Sequence, residues 1–267
     1  MPAILFSLLM LLGGAGPALA AEPEAWQYLF QRAATPIAER MQAFNDFISA
    51  IIVLITAFVL ALLVYVCFRF GVARNPMPSR RTHNTLLEVA WTTVPVLILV
   101  VIAIPSFKLL YYQDVVPEVD LTVKAVGHQW YWSYEYPDNG EFTFDAYMIA
   151  DEDLEDDQLR LLTTDNAVVL PVETNIRLLI TATDVLHAWA MPSFGVKMDA
   201  VPGRINETWF RINEPGTYYG QCSELCGAYH AFMPIMIRAV SKDEFEAWTE
   251  QAQEEFAQAG ALDVARR

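Results

Sequence analysis

Two long uncharged stretches dominate the hydropathy pattern. Phe47 to Phe68 holds 22 residues between Asp46 and Arg69, and Val89 to Phe107 holds 19 between Glu88 and Lys108. As helices they would be roughly 33 and 28 Å long, against a bilayer core of about 30 Å. They predict membrane spans over about 44–69 and 87–110, the second kinked at Pro95 and Pro105. A shorter apolar run near the start ends in Ala18-Leu19-Ala20, the small-x-small pattern of a cleavage site. It predicts a signal peptide over 1–20, although no Lys or Arg precedes it; an uncleaved anchor is the alternative. From Tyr112 the pattern shortens. Runs such as Leu121–Val126, Ala167–Leu170 and Ile176–Thr181 are rich in Val, Ile and Thr, and turns such as Pro137-Asp138-Asn139-Gly140 separate them. That is the pattern of a small β-sandwich or barrel. Asp243 to Phe256 predicts an amphipathic helix with Phe245, Trp248 and Phe256 as packing positions. The expected organisation is a signal peptide at 1–20, an N-terminal segment and two-helix anchor at 21–111, a β domain at 112–242, and a helix and tail at 243–267.

Charge gives these parts a direction. The whole chain carries −15, but residues 112–267 hold 10 Lys/Arg against 27 Asp/Glu. The exported part is therefore −17 and the rest is +2. The loop from Arg69 to Leu87 carries Arg69, Arg74, Arg80 and Arg81 and no acid, so it lies on the cytoplasmic side. Both ends of the mature chain then lie outside, as the signal peptide also requires. Strong acidity argues against nucleic acid. Asp151–Asp157, six acids in seven positions, reads as a solvated loop.

The candidate chemistry sits in Gln221-Cys222-Ser223-Glu224-Leu225-Cys226-Gly227-Ala228-Tyr229-His230-Ala231-Phe232-Met233. Thiolate and thioether are soft ligands, and imidazole suits copper and zinc. A structural zinc site closes with Cys and His alone, so the methionine points towards copper. A blue copper site uses one Cys. Two thiolates can instead bridge two copper ions, each taking one His and a weaker axial ligand. A second imidazole is then needed. His83 lies in the cytoplasmic loop and His128 in an apolar-aromatic strand, which leaves His187 in Asp184-Val185-Leu186-His187-Ala188-Trp189. The competing reading of Cys222 and Cys226 is a single disulfide in an exported domain.

The stretch GQCSELCGAYHAFMP, with DVLHAW and GHQWYWSYEYP before it, resembles subunit II of the haem–copper cytochrome c oxidases, bacterial members in particular. The resemblance runs from about Thr82 through the exported domain. It implies two N-terminal transmembrane helices, a helical hairpin, followed by an all-β cupredoxin-like Greek-key barrel that carries a binuclear copper centre, CuA. By that resemblance Cys222 and Cys226 bridge both coppers and His187 and His230 bind one each. Met233 and the Glu224 carbonyl are axial ligands, and the Glu224 carboxylate reaches a magnesium ion shared with subunit I. Trp130 corresponds to the tryptophan where cytochrome c delivers its electron. Glu135, Asp165 and Asp184 match docking acids, and Glu88 matches a glutamate at the mouth of a proton path. Without the resemblance, these acids read as surface charges and Glu88 as a helix-end acid.

The resemblance implies a relay in a bacterial cell membrane, from cytochrome c to the haem of subunit I, where oxygen is reduced and protons are pumped. A quinol oxidase subunit would lack the copper ligands. A nitrous oxide reductase would need a large further domain. The rival from another class is a membrane-tethered copper-binding or copper-delivery protein, which would need neither the Trp130 run nor Glu88. No Cys-x-x-Cys-His occurs, so no fused c-type haem is expected.

Overall fold

In a computed structural model of the chain, residues 23–27 and 29–264 are described, with side chains to residue 256. The expected signal peptide lies outside the described residues. Two compact units are present: Glu39–Val115, and a second made of the residues before and after it.

The first unit contains the bulk of two helices, α1 (Pro36–Arg69) and α2 (Thr85–Asp114), both long and apolar enough to cross a membrane. Each starts earlier than its apolar run because a cap precedes the run. Thr35 Oγ1 accepts from Ala38 N at 3.1 Å, with Pro36 at the first helical position. Asn84 Oδ1 accepts from Leu86 N and Leu87 N, and Glu88 Oε1 accepts in return from Asn84 N at 3.2 Å. Pro95 and Pro105 lie inside α2. None of the side chains of α2 is buried, as expected of helices that meet lipid or another protein rather than their own core.

The second unit is the β domain. One five-stranded sheet has the order β3-β2-β1-β5-β8 and the other β4-β10-β9-β6-β7. The strands are β1 (Leu121–His128), β2 (Tyr131–Tyr136), β3 (Phe142–Ala146), β4 (Val168–Pro171) and β5 (Ile176–Ala182), then β6 (His187–Met191), β7 (Val196–Ala200), β8 (Asn206–Phe210), β9 (Gly216–Cys222) and β10 (Pro234–Val240). β1 pairs with β5 and β10 with β4 in parallel; the other pairs are antiparallel. The all-β expectation holds, as a sandwich whose edge strands β7 and β8 approach each other to form a half-barrel. Alternation explains the packing. Ile176, Leu178, Ile180 and Ala182 face inward while Arg177 and Thr181 are less buried. Each fully buried aliphatic side chain contributes about 1.5–3 kcal/mol.

α3 (Lys242–Val264) opens with a reciprocal Ser241–Glu244 cap. As expected, Phe245, Trp248 and Phe256 pack on the aromatic rings of β2 and β3, with Trp248 5.3 Å from Tyr136 and Phe256 4.9 Å from Phe144. The segment leading into α1 differs from expectation. The sequence pattern groups this N-terminal segment with the two-helix anchor in 21–111, whereas residues 32–35 lie on the β domain. Ala34 N donates to Ser193 O at 2.8 Å, Asn213 N to Ala34 O at 2.9 Å, and Thr35 Oγ1 to Phe194 O at 2.7 Å. The boundary after α2 falls at Val115 rather than residue 111, because the helix continues three residues further.

Candidate metal centre

Strand register brings the donors together. β6 and β9 are neighbours with Trp189 opposite Cys222, so His187, two residues before Trp189 on the same face, reaches the end of β9. Cys222 N donates to Met233 O at 2.9 Å, and Ser223 N donates to Ala188 O at 2.9 Å. These bonds pin the base of the loop that carries Cys226 and His230. Gly127 on β1 leaves room for the imidazole, since a Cβ there would lie 2.9 Å from His187 Cδ2.

The donors form a series. His187 Nδ1 lies 3.9 Å from Cys222 Sγ, Cys222 Sγ 3.8 Å from Cys226 Sγ, and Cys226 Sγ 3.6 Å from His230 Nδ1. A disulfide would need about 2.05 Å, so both cysteines are free thiols. With metal–sulfur bonds of about 2.3 Å, one ion can touch two sulfurs up to about 4.6 Å apart, and this pair falls within that reach. Ligand atoms of His187, Cys222 and Cys226 all lie within 4.8 Å of one another, and all three residues are buried. Each sulfur thus has an imidazole beside it, and the two sulfurs face each other. The Glu224 carbonyl oxygen lies 3.3 Å from Cys222 Sγ. Met233 is buried at the same loop, with only 1% of its surface exposed.

The two thiols are electrostatically unequal. Burial pushes Cys222 up, but its hydrogen bonds with His187 and with the backbone at Glu224 and Ala188 outweigh it and bring it down to about 6. Burial and the neighbouring Cys222 charge push Cys226 up to about 12. The pair readily holds one negative charge and resists two, an arrangement suited to cations. Burial lowers His187, but its bonds to Cys222 and Asp184 prevail and raise it. Asp184 Oδ1 lies 2.9 Å from His187 Nε2, the ring nitrogen on the far side from the sulfur. Burial raises the Asp184 carboxyl, yet His187 and the backbone N–H groups of Val185 and Gln129 hold it below its usual range.

Trp130 is partly buried, and its Nε1 donates to Cys226 O at 3.2 Å. Gln129 Nε2 donates to the same oxygen at 2.8 Å. Gly227, at φ +121°, permits that approach, since a Cβ would sit 3.1 Å from both Gln129 Nε2 and Trp130 Cζ2. Tyr229 meets the indole edge-on at 4.9 Å.

The remaining site residues have local duties. Glu135 binds Lys124 Nζ with both oxygens at 2.9 Å across β1 and β2. Asp165 Oδ1 accepts from Tyr147 N at 2.8 Å and Asn166 N at 2.7 Å. Glu88 caps α2, in the other unit. Sequence reasoning placed Asp184 on the surface and missed its bond to His187; the Asp-x-x-His spacing was the available signal. Gln129 and the two glycines carried no signal, because their roles depend on contacts across about 55 to 100 residues.

The chain matches two family descriptions: "Cytochrome C oxidase subunit II, periplasmic domain" over residues 121–240 and "Cytochrome C oxidase subunit II, transmembrane domain" over residues 23–109. It is 53% identical over 229 residues to the "Probable cytochrome c oxidase subunit 2" of Rickettsia bellii, covering 86% of this chain and 85% of that one. The cytochrome c oxidase subunit 2 of Arabidopsis thaliana is 50% identical over 238 residues, covering 87% and 91%. The crystal structure of the periplasmic domain of subunit II of the Bradyrhizobium japonicum cytochrome oxidase superposes with a TM-score of 0.50 at 57% identity. It covers 53% of this chain and 99% of that structure.

Proposed function

Since the chain belongs to the cytochrome c oxidase subunit II family, we propose that it accepts electrons from cytochrome c at a two-copper CuA centre and passes them to the haem of subunit I. The complex, an oxidoreductase, reduces oxygen there and pumps protons; this chain supplies the electrons. The observation that carries the copper reading is the donor series His187–Cys222–Cys226–His230 with gaps of 3.9, 3.8 and 3.6 Å. Bound copper would supply a one-electron acceptor of soft-ligand character. Cys222, Cys226, His187 and His230 would hold the two ions, with Met233 and the Glu224 carbonyl as the weaker donors. The Glu224 carboxylate would serve a magnesium ion shared with subunit I.

The chain's own residues do the rest. Asp184 orients His187 through Nε2 and leaves Nδ1 for metal. Burial of both cysteines excludes water and keeps the ligands from shifting. The Trp130 indole donates to the carbonyl of Cys226, so a hydrogen bond and one residue's own bonds join the partly exposed ring to a ligand sulfur. Glu135, Asp165 and Asp184 belong to a domain of −17 and attract a basic cytochrome c. In this reading the chain sits in a bacterial cell membrane, with the β domain periplasmic, the arginine-bearing loop cytoplasmic and Glu88 at the mouth of a proton path.

Copper analysis and EPR of the loaded full-length chain test this. The expected result is two coppers per chain, with the unpaired electron split by two equivalent nuclei. A single copper or a zinc per chain would overturn the binuclear assignment.

A further inference from the structure

A cleft of about 390 Å³ lies between α1 and α2 in the membrane unit, lined among others by Arg40, Phe44, Phe47, Pro105, Lys108 and Leu109. Its two walls are regular helical stripes. Arg40, Phe44 and Phe47 follow the i, i+4, i+7 spacing of one helix face, and Pro105, Lys108 and Leu109 follow i, i+3, i+4 on the other. Polarity is graded along both. Arg40 precedes the uncharged run of α1 by seven positions, and Lys108 directly follows that of α2. The cations therefore sit at the same end of the spans, at headgroup depth; the phenylalanines and the proline sit towards the hydrocarbon, and Leu109 lies level with Lys108.

Arg40 is held in place, its Cζ lying 3.8 Å from the centre of the Tyr112 ring, an aromatic at interface depth. Neither cation forms an ion pair among the described residues. Asp46, the acid next to Phe47, projects from a different face of α1. Two unneutralised cations above an apolar cleft match a phosphate joined to an acyl chain, and the volume falls in the range of small-molecule sites.

We propose that this cleft binds one anionic phospholipid. Its phosphate bridges Arg40 and Lys108, and an acyl chain lies along Phe44, Phe47 and Pro105, with Leu109 beside the headgroup. A zwitterionic lipid fits less well because its ammonium group opposes the two cations. The inference stands on the two spans and does not depend on copper.

The test uses the intact oxidase, delipidated in detergent and supplied with phosphatidylglycerol or phosphatidylcholine carrying a photoactivatable group in the acyl chain. Phosphatidylglycerol should label residues 40–47 and 105–109, with phosphatidylcholine at least tenfold weaker. Arg40→Gln with Lys108→Gln should weaken phosphatidylglycerol binding about 30-fold, the factor two interfacial cations supply, while Arg40→Lys retains most of it. Equal labelling by both lipids, or labelling untouched by charge removal, would overturn the proposal. So would carbodiimide coupling of Lys108 to a carboxylate of a neighbouring subunit, since the cations would then face protein. If the double variant fails to assemble, the contrast between lipids on the unaltered complex still decides.

Discussion

At the scale of single residues, the two thiols divide the work by their unequal acidity. Despite burial, hydrogen bonds bring the Cys222 thiol down to about 6, while burial and the Cys222 charge push Cys226 up to about 12. At neutral pH the metal-free site holds one thiolate, and metal must displace the proton of Cys226. Raising pH lowers that cost and the cost of displacing the raised His187 proton, so copper affinity should rise by at least about tenfold per pH unit from about pH 7 to 9. It should fall more steeply below about 6, where Cys222 also takes up a proton; competition titrations at fixed pH measure both slopes. Asp184→Asn keeps the size of the side chain but weakens its hold on His187. It should cost about 10- to 100-fold in copper affinity, whereas Glu135→Gln, remote from the donors and paired with Lys124, should leave affinity unchanged. Trp130→Phe separates ring from hydrogen bond. If the Nε1–Cys226 contact carries the electron, the saturated transfer rate in stopped flow falls although cytochrome c still binds. A change confined to apparent affinity would assign Trp130 to packing.

At the scale of elements, short polar caps decide where each helix begins. Ser241 and Glu244 close the start of α3 reciprocally, and Ser241→Ala should cost about 0.5–2 kcal/mol of stability. Trp248→Ala removes a ring that touches Tyr136, Phe142 and Phe144, and should cost about 3–5 kcal/mol. Thermal or urea unfolding ranks the two; equal losses would mean that α3 is held mainly by its cap. The spans make a different claim. Protease added outside intact cells should cut within the domain after Val115 and spare Arg74–Arg81, and cleavage in that loop would reverse the assigned direction.

At the scale of the whole molecule, a β domain of −17 acts on a partner through its summed field. The Debye length falls from about 30 Å at 0.01 M salt to about 10 Å at 0.1 M. Oxidation of a basic cytochrome c should therefore slow as salt rises, and Asp165→Asn should flatten that dependence. The individual acids weigh less than the sum suggests. Glu135 is neutralised by Lys124, and the Asp184 carboxylate is committed to His187. A salt dependence unchanged when Asp165 is neutralised would move the docking face elsewhere on the domain.

Whatever repeats or sits close along the chain was legible in the sequence by itself. The uncharged runs marked the spans, alternation and turn residues marked an all-β domain, and Cys222, Cys226, His230 and Met233 declared a soft-metal site within twelve positions. Those features are local, and local patterns follow from backbone period and ligand chemistry alone. Tertiary structure decided what depends on partners distant in the chain. Strand register carries His187 to Cys222 across 35 positions, and the turn between β1 and β2 lays Gln129 and Trp130 on the Cys226 carbonyl across nearly a hundred. It also draws residues 32–35 onto the β domain, where Ala34 pairs its backbone N–H with Ser193 O and its carbonyl with Asn213 N. No periodicity encodes such meetings. They arise only when two sheets close over one core and each buried polar group must find a partner.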